Sequence, residues 1–474
     1  MTQCHPTTGR PNVLLVYADQ HRYDCLGMTG KPQGVSPLAK TPHLDRLAAE
    51  GVRFTRAYCP IAVCIPSRNS LMHGQWPGEH LSIANWGTEA PHPPQEGLPA
   101  LSQVLREAGY FLGHVGKWHI HPQRGPLEYG FHQHRPGAAH YEEWRAARGL
   151  PPRPRVNGWF GEVDPFIGPD DSRSAWEADG VLEVLEAWRG QDRPFFIQWD
   201  SDAPHLPNVV PEPYFSMYSS DDIPPWPSFP DPLIGKPYIQ AQQRRTWKVE
   251  GWTWEQWAPV VRCYLAEVSL LDAQVGRVLN ALEHMGIAEQ TMVIYSTDHG
   301  DLCGGHGMVD KHYVMYEDVT RVPLIVRWPG RTLAGTQCDA WVSHNIDLAM
   351  TLCDVAGVPA PATFRGKSLL PLLTGGQDNG RQDIFCMYHG NQFGLYSQRM
   401  VRDARWKYVW NATAEDEMYD LELDPGELRN LATNPAYRGE LERLRQRLVA
   451  WMEETHDPLL NSWTRTQLLE GLTV

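Results

Sequence analysis

Apolar, β-branched runs alternate with amphipathic ones along most of the chain. NVLLVYA at 12–18 has the pattern of a buried strand. A helix is predicted from Thr41 to Gly51, with Thr41 as N-cap, Pro42 at the first helical position, Gly51 just past the end, and Leu44, Leu47 and Ala48 as its apolar stripe. VLREAGY then leads into FLGHVGKWHI, WEADGVLEVLEAWRG precedes PFFIQWDS, and a long helical pattern from Trp257 to Met285 precedes TMVIYSTDHG. Strand and helix taking turns predict an α/β fold, a large mostly parallel or mixed sheet sandwiched by helices.

Two stretches interrupt the alternation. From Gly125 to Asp171 and from Pro204 to Pro237, Pro, Gly, Trp and Tyr accumulate without periodicity, which predicts two long irregular excursions at the rim of a site. After LLPLLTGG the texture changes: DIFCMYHG, RMVRDA and WKYVWN resemble short antiparallel strands, and AYRGELERLRQRLVAWMEE a closing helix. The expected division is an α/β catalytic domain over 1–375 and a smaller C-terminal α+β subdomain over 376–474.

Composition narrows the functional classes. With 474 residues, 42% hydrophobic and 21% charged, the chain has the make-up of a soluble globular protein. A net charge of −14 argues against a nucleic-acid partner. No run approaches the roughly 18 apolar residues of a membrane span, and the polar start MTQCHPTTGRPN has no signal-peptide core, so a cytoplasmic protein without membrane contact is expected. The nine cysteines include no C-x-x-C pair, which disfavours a disulfide framework or a Cys4 zinc site and predicts buried free thiols, with Cys64 the exception. No heptad repeat or self-pairing strand prescribes an oligomeric state.

Asp19 and Gln20 end the first strand, Asp298 and His299 end another, and ligands of open α/β sheets collect at the carboxyl ends of strands. Carboxylate and amide oxygens suit a hard divalent cation, with Ca²⁺ the leading candidate; the His299 nitrogen keeps Mn²⁺ and Mg²⁺ open. In A-V-C-I-P-S-R-N-S-L-M-H-G, Pro66 suits the first turn of a helix, which places Cys64 at its positive N-terminal end with Arg68 one turn on. A phosphatase-type thiolate loop would need Arg six residues after Cys, where this chain has Ser70. Lys117 and His119, two apart in an extended segment, are expected to point to the same side.

The motif at 64–74 resembles that of the type I sulfatases, the formylglycine enzymes of the alkaline phosphatase superfamily, through Cys64, Pro66, Ser67, Arg68, Leu71, Met72 and Gly74. V-Y-A-D-Q, G-K-W-H at 116–119, A-P-H-L-P around His205, S-T-D-H-G at 296–300, G-G-H-G-M-V-D-K ending at Lys311, and M-Y-D-L-E-L-D-P-G-E-L-R-N-L-A follow in that family's order over nearly the whole chain. The resemblance implies a sulfuric ester hydrolase in which a formylglycine-generating enzyme converts Cys64, and the aldehyde hydrate attacks sulfur beside a metal held by Asp19, Gln20, Cys64, Asp298 and His299. Asp298 takes the attacking proton. Arg68, Lys117 and Lys311 balance charge on the sulfuryl oxygens, His205 with Lys311 protonates the departing alcohol, and His119 removes the second hydrate proton. The expected substrate is a small-molecule or saccharide sulfate ester.

Gln20 and His299 stand where many members have Asp and Asn, departures that bear on metal preference or substrate class; Ile65 and His73 depart at the maturation motif. Hydrolysis of phosphonate monoesters or phosphodiesters is the alternative, and a non-catalytic metal-binding protein with an unmodified Cys64 the third reading. His306 and His312 are expected to be structural. Trp76, Trp86, Trp118, Trp144 and Trp159, among 19 tryptophans, fall in or near the predicted rim, mostly as packing residues, and His389 and Asn391 are candidate substrate contacts.

Overall fold

A computed structural model describes residues 9–29, 38–85, 93–377, 380–390 and 394–471. Cys4, Trp86 and Asn391 lie outside the described residues. Fourteen strands are described: β1 Asn12–Ala18, β2 Val52–Tyr58, β3 Phe111–Gly116, β4 Gln133–Pro136, β5 Glu162–Asp164, β6 Phe195–Asp200, β7 Val209–Pro211, β8 Thr291–Thr297, β9 Leu324–Arg327, β10 Thr336–Ser343, β11 Ile384–Gly390, β12 Tyr396–Arg402, β13 Trp406–Asn411 and β14 Glu417–Asp420. Eight form one sheet in the order β10-β2-β9-β8-β1-β6-β3-β4, in which only β9 runs against its neighbours. This is the expected mostly parallel sheet.

β1 lies at the centre and is buried throughout. Its side chains alternate between two cores, Val13, Leu15 and Tyr17 on one face and Leu14, Val16 and Ala18 on the other, as period-two geometry requires. The first face is covered by α2 (Cys64–His73) and the helices Leu101–Glu107 and His344–Val355; the second by α1 (Pro42–Ala49) and the helices Arg173–Trp188 and Trp254–His284.

α1 buries Leu44, Leu47 and Ala48 as expected, but Thr41 does not cap it. The Thr41 hydroxyl accepts from Gly27 N and donates to Asp45, while Asp272 of the long helix accepts from the N–H groups of His43 and Leu44 at 3.2 and 2.8 Å. A tertiary carboxylate has taken over the capping role. The excursion at 125–171 is also more ordered than its composition suggests: it contains β4, a helix at Ala138–Ala147, and β5, which pairs with β7 of the second excursion.

β11 to β14 form an antiparallel sheet in sequence order, and the helix Arg438–Glu454 packs on it through Leu441, Leu444, Leu448 and Met452. Met387 of β11 donates to Pro60 O at 2.9 Å, so this sheet braces the loop leading into α2. Buried Glu317 adds an ionic tie, accepting from Tyr58 at 2.6 Å and pairing with Arg402 and Lys407 at 3.1 and 2.9 Å. Burial pushes its pKa up, but Arg402 and Lys407 overcome this and hold it below the ordinary range. A depressed carboxyl contributes stability above its unfolded value that is lost as pH falls through the folded one. Glu317→Gln is therefore expected to cost about 3 kcal/mol at pH 7 and to approach the wild type in acid, as measured by urea unfolding across pH.

Trp76 and Trp118 are packing residues, edge-on to Trp451 and His114 at 5.1 Å each. Trp159 is half exposed. Cys25, Cys59, Cys64, Cys263, Cys303, Cys353 and Cys386 are buried free thiols, and Cys338 is half-buried. Among the described residues no helix is long and apolar enough to cross a membrane.

Candidate active site

Three strands that lie side by side, β8, β1 and β6, deliver an acid at their carboxyl ends: Asp298, Asp19 and Asp200. Cys64 is the first residue of α2, whose N-terminus points at these acids. Ligand atoms of Asp19, Cys64, Asp298 and His299 all lie within 4.8 Å of one another, and the four residues are buried. Cys64 Sγ is 3.2 Å from His299 Nε2 and 3.9 Å from Asp19 Oδ1. His299 Nδ1 donates to Gly300 O at 2.9 Å, so Nε2 faces the cluster; burial lowers the His299 pKa, but Asp298 and Cys64 raise it to about 9, and Nε2 becomes a ligand when a cation displaces its proton. Two carboxylates, such an imidazole and the atom at position 64 fit a divalent cation.

Arg68 is fully buried behind this cluster. Its Nε donates to Asp298 at 3.1 Å, Nη1 to Asp200 at 2.8 Å and Nη2 to Asp19 at 3.1 Å. The guanidinium expected to face the sulfuryl oxygens is thus engaged by three carboxylates. Asp200 also accepts from Gln198 at 2.7 Å and meets His114 Nε2 at 2.8 Å. Asp298 feels burial and Asp19 raising its pKa against His299 and Arg68 lowering it, with a net rise.

Lys117 and His119 both reach the cluster, but not by strand alternation. β3 ends at Gly116, where φ is +96° and a Cβ would lie 2.0 Å from Asp200 O, so only glycine lets the chain pass. Lys117 N then donates to Asp200 O at 2.8 Å, its Nζ reaches Asp19 at 2.6 Å, and His119 adopts a left-handed φ of 45°. The His119 Nδ1 is buried with no hydrogen-bond partner among the described residues. Burial, then Lys117, lower the His119 pKa.

His205 and Lys311 approach from the other wall, 3.0 Å apart between Nε2 and Nζ. His205 Nδ1 donates to Leu206 O at 2.7 Å, so Nε2 is the acceptor for the lysine. Lys311 also donates to Gln20 Oε1 at 2.9 Å and meets Asp310 at 3.1 Å. The Gln20 amide nitrogen is 2.6 Å from Asp301 and 3.0 Å from Asp310, which orients its oxygen toward Lys311. Burial pushes the Cys64 thiol up, but Lys311, Lys117 and His299 together pull it well below its ordinary value. Position 64 is therefore a place where negative charge is stabilised.

His306 is structural as expected, paired with Asp231 at 2.7 Å and stacked on Tyr316. His312 is buried between Asp310 and Tyr388, at 3.4 and 3.3 Å. His389 has both ring nitrogens engaged, by Ser397 and Arg399, at 2.7 and 3.1 Å. Asp200, Asp301, His114 and Asn85 escape the sequence reading. Asp200 ends the strand PFFIQWD as Asp19 and Asp298 end theirs, a signal that could have found it. Asn85, with Nδ2 3.9 Å from Cys64 Sγ and Oδ1 accepting from Ile65 N at 3.0 Å, carries no such signal.

The family model described as Sulfatase matches residues 11–358, about three quarters of the chain. The protein belongs to the sulfatase family. It carries the activity class of that family, sulfuric ester hydrolysis. A second model, N-sulphoglucosamine sulphohydrolase, C-terminal, matches 304–454. The arylsulfatase of Clostridium perfringens is 28% identical over 98% of both chains, and the N-acetylglucosamine-6-O-sulfatase of Bacteroides thetaiotaomicron 27% identical over 95% of this chain and 88% of that one. The solved phosphonate monoester hydrolase of Agrobacterium radiobacter superposes on the sulfatase chain with a TM-score of 0.82 at 27% identity, covering 94% of this chain and 96% of that one.

Proposed function

We propose that this sulfatase cleaves a sulfate monoester using formylglycine, made from Cys64 by a formylglycine-generating enzyme, beside a divalent cation. The observation that carries the reading is the convergence of Asp19, Cys64, Asp298 and His299 within 4.8 Å, at a helix N-terminus flanked by two lysines. When in place, the cation and the aldehyde hydrate supply a polarised sulfuryl group and an acidified hydroxyl nucleophile. Asp19, Asp298 and His299 would hold the cation, with Gln20 Oε1 as an amide donor; Ca²⁺ is the first choice for such an oxygen-rich set and Mn²⁺ or Mg²⁺ the alternatives.

Asp298 takes the attacking proton. Lys117 and Lys311 bind the sulfuryl oxygens as a preorganised cationic clamp, while Arg68 holds Asp19, Asp200 and Asp298 in position. His205, with help from Lys311, protonates the departing alcohol, and His119, whose Nδ1 is buried with no hydrogen-bond partner among the described residues, accepts the proton whose removal releases sulfate. The names of the relatives favour a saccharide or small-molecule sulfate ester as substrate. Phosphonate monoesters are the second reading, favoured by the Agrobacterium structure.

The tryptic peptide containing Cys64, from protein coexpressed with a maturation enzyme, is expected to be about 18 Da lighter than its thiol form. An unmodified thiol there overturns the mechanism. kcat/KM for an aryl sulfate is expected to exceed that for an aryl phosphonate, and the reverse order selects the second reading. Dialysis against a chelator is expected to abolish turnover and lower Tm, because Asp19 and Asp298 are left facing each other; unchanged Tm and activity in metal-free protein would count against the cluster as a metal site.

A further inference from the structure

Two buried glutamates that the proposed chemistry does not use hold the segment carrying His205. The segment runs off β6 through Ser201, Asp202, Ala203, Pro204, His205, Leu206, Pro207 and Asn208 into β7. Pro204 and Pro207 have no N–H to donate, and the backbone bonds the stretch does make include Ser201 N to Tyr17 O at 2.9 Å, His205 N to Asp202 O at 3.0 Å and Glu162 N to Asn208 O at 3.0 Å. Side chains from two helices add to this fastening. At its upstream end Glu177, on the helix Arg173–Trp188, accepts from the Ser201 hydroxyl at 2.6 Å and from Asp202 N at 3.2 Å. At its downstream end Asn208 Nδ2 spends both hydrogens, one on Pro204 O at 2.7 Å and one on Glu267 Oε2 at 2.7 Å. Glu267, on the helix Trp254–His284, is balanced by Arg173 at 2.8 Å.

Pro204 O belongs to the peptide unit that leads directly into His205. Asn208 therefore bridges the backbone next to the histidine to a charged, buried anchor on the longest helix of the fold. Meanwhile Ala203 O accepts from Asp19 N at 3.1 Å, so the same segment is registered against a metal-cluster residue. We propose that Asn208 and Glu267 are positioning residues for His205: they set the distance between its Nε2 and the departing oxygen, and with it the efficiency of proton transfer. This rests on the reading of His205 as the proton donor.

Loss of a proton donor costs more as the leaving group becomes more basic, because a poor leaving group needs more protonation in the transition state. The experiment compares kcat/KM for 4-nitrophenyl sulfate and phenyl sulfate in the wild type, His205→Ala, Asn208→Ala, Glu267→Ala and Glu267→Gln, and follows hydrogen exchange of the peptide covering 201–208 in the same proteins. Asn208→Ala and Glu267→Ala are expected to speed exchange over 201–208 by at least about tenfold with the helix Arg173–Trp188 still protected. They are expected to lose up to about 100-fold on phenyl sulfate and markedly less on 4-nitrophenyl sulfate. Glu267→Gln, which keeps an acceptor for Asn208, should stay within about threefold of wild type, and it carries the test if Glu267→Ala does not fold.

Unchanged exchange over 201–208, or a loss equal on both esters while His205→Ala shows a steep dependence, overturns the proposal. A flat response in His205→Ala instead overturns the assignment of His205, and the exchange data then judge the hold on the segment by themselves. Glu267→Gln behaving as badly as Asn208→Ala would show that the Arg173 charge pair, not the bridge to Pro204, is what matters, and this too overturns it.

Discussion

Replacing Cys64 by alanine is expected to lower kcat for sulfate ester hydrolysis by about 10⁴-fold or more, the scale seen when a covalent nucleophile is removed and only binding and electrostatics remain. Alanine has no thiol to convert, so the loss is one of chemistry at a site that stays built. The fold should tolerate the change: Cys64 opens α2, the substitution removes a single atom, and Lys117, Lys311 and His299 all keep partners apart from Sγ. Equilibrium unfolding is expected to stay within about 1 kcal/mol of wild type. A Cys64→Ala protein that turns over an aryl sulfate at a tenth of the wild-type rate would exclude position 64 as the nucleophile and leave the metal cluster to activate water directly.

Arg68→Ala is the second large effect, and it falls on stability as well as rate. Its guanidinium is the shared partner of three buried carboxylates. Without it, Asp19 retains Lys117 and Asp200 retains Gln198 and His114, but Asp298 keeps no Arg or Lys partner among the described residues, only the N–H groups of Gln20 and His299, the Thr297 hydroxyl at 3.5 Å and the His299 ring at 3.6 Å. Removing one member of a buried ionic group leaves its partners uncompensated, at about 3–5 kcal/mol. Carboxyls so stranded have raised pKa values in the folded state, so the deficit is expected to shrink as pH falls and they take up protons. Arg68→Lys should recover only part of the loss, because one ammonium cannot span three carboxylates in the planar fork that arginine offers. Urea unfolding of the three proteins at pH 7 and pH 5 measures this, and an Arg68→Ala variant as stable as wild type would show that the carboxylates are protonated or balanced by another group.

The chemistry of the site was legible where it is tied to local pattern. Asp19 and Asp298 stand at the ends of apolar runs, and Cys64 and Pro66 open a helix, so each can be placed from its neighbours in the chain. Partners that meet only in space were not. Gln20 shows the difference: its place at a strand end was readable, but the pull of Asp301 and Asp310 on its amide, which turns the oxygen to Lys311, depends on residues 281 and 290 positions away. Arg68 is similar, since its position one helical turn after Cys64 followed from the motif but its capture by Asp200 did not.

By itself the sequence determined the alternation of strands and helices, hence the layered α/β sheet, because period-two and helical apolar patterns each permit one way of burying their face. It also determined that Asp19 and Asp298 end strands and that Cys64 opens a helix. Tertiary structure alone decided that Asp272 rather than Thr41 caps α1, that the segment at 125–171 contains a helix and sheet strands, that Arg68 faces carboxylates, and that Glu177, Glu267 and Asn208 fasten the His205 segment. Each of these turns on which buried polar group finds a partner. That choice is settled by the cost of leaving a donor or acceptor unpaired once distant parts of the chain have packed together.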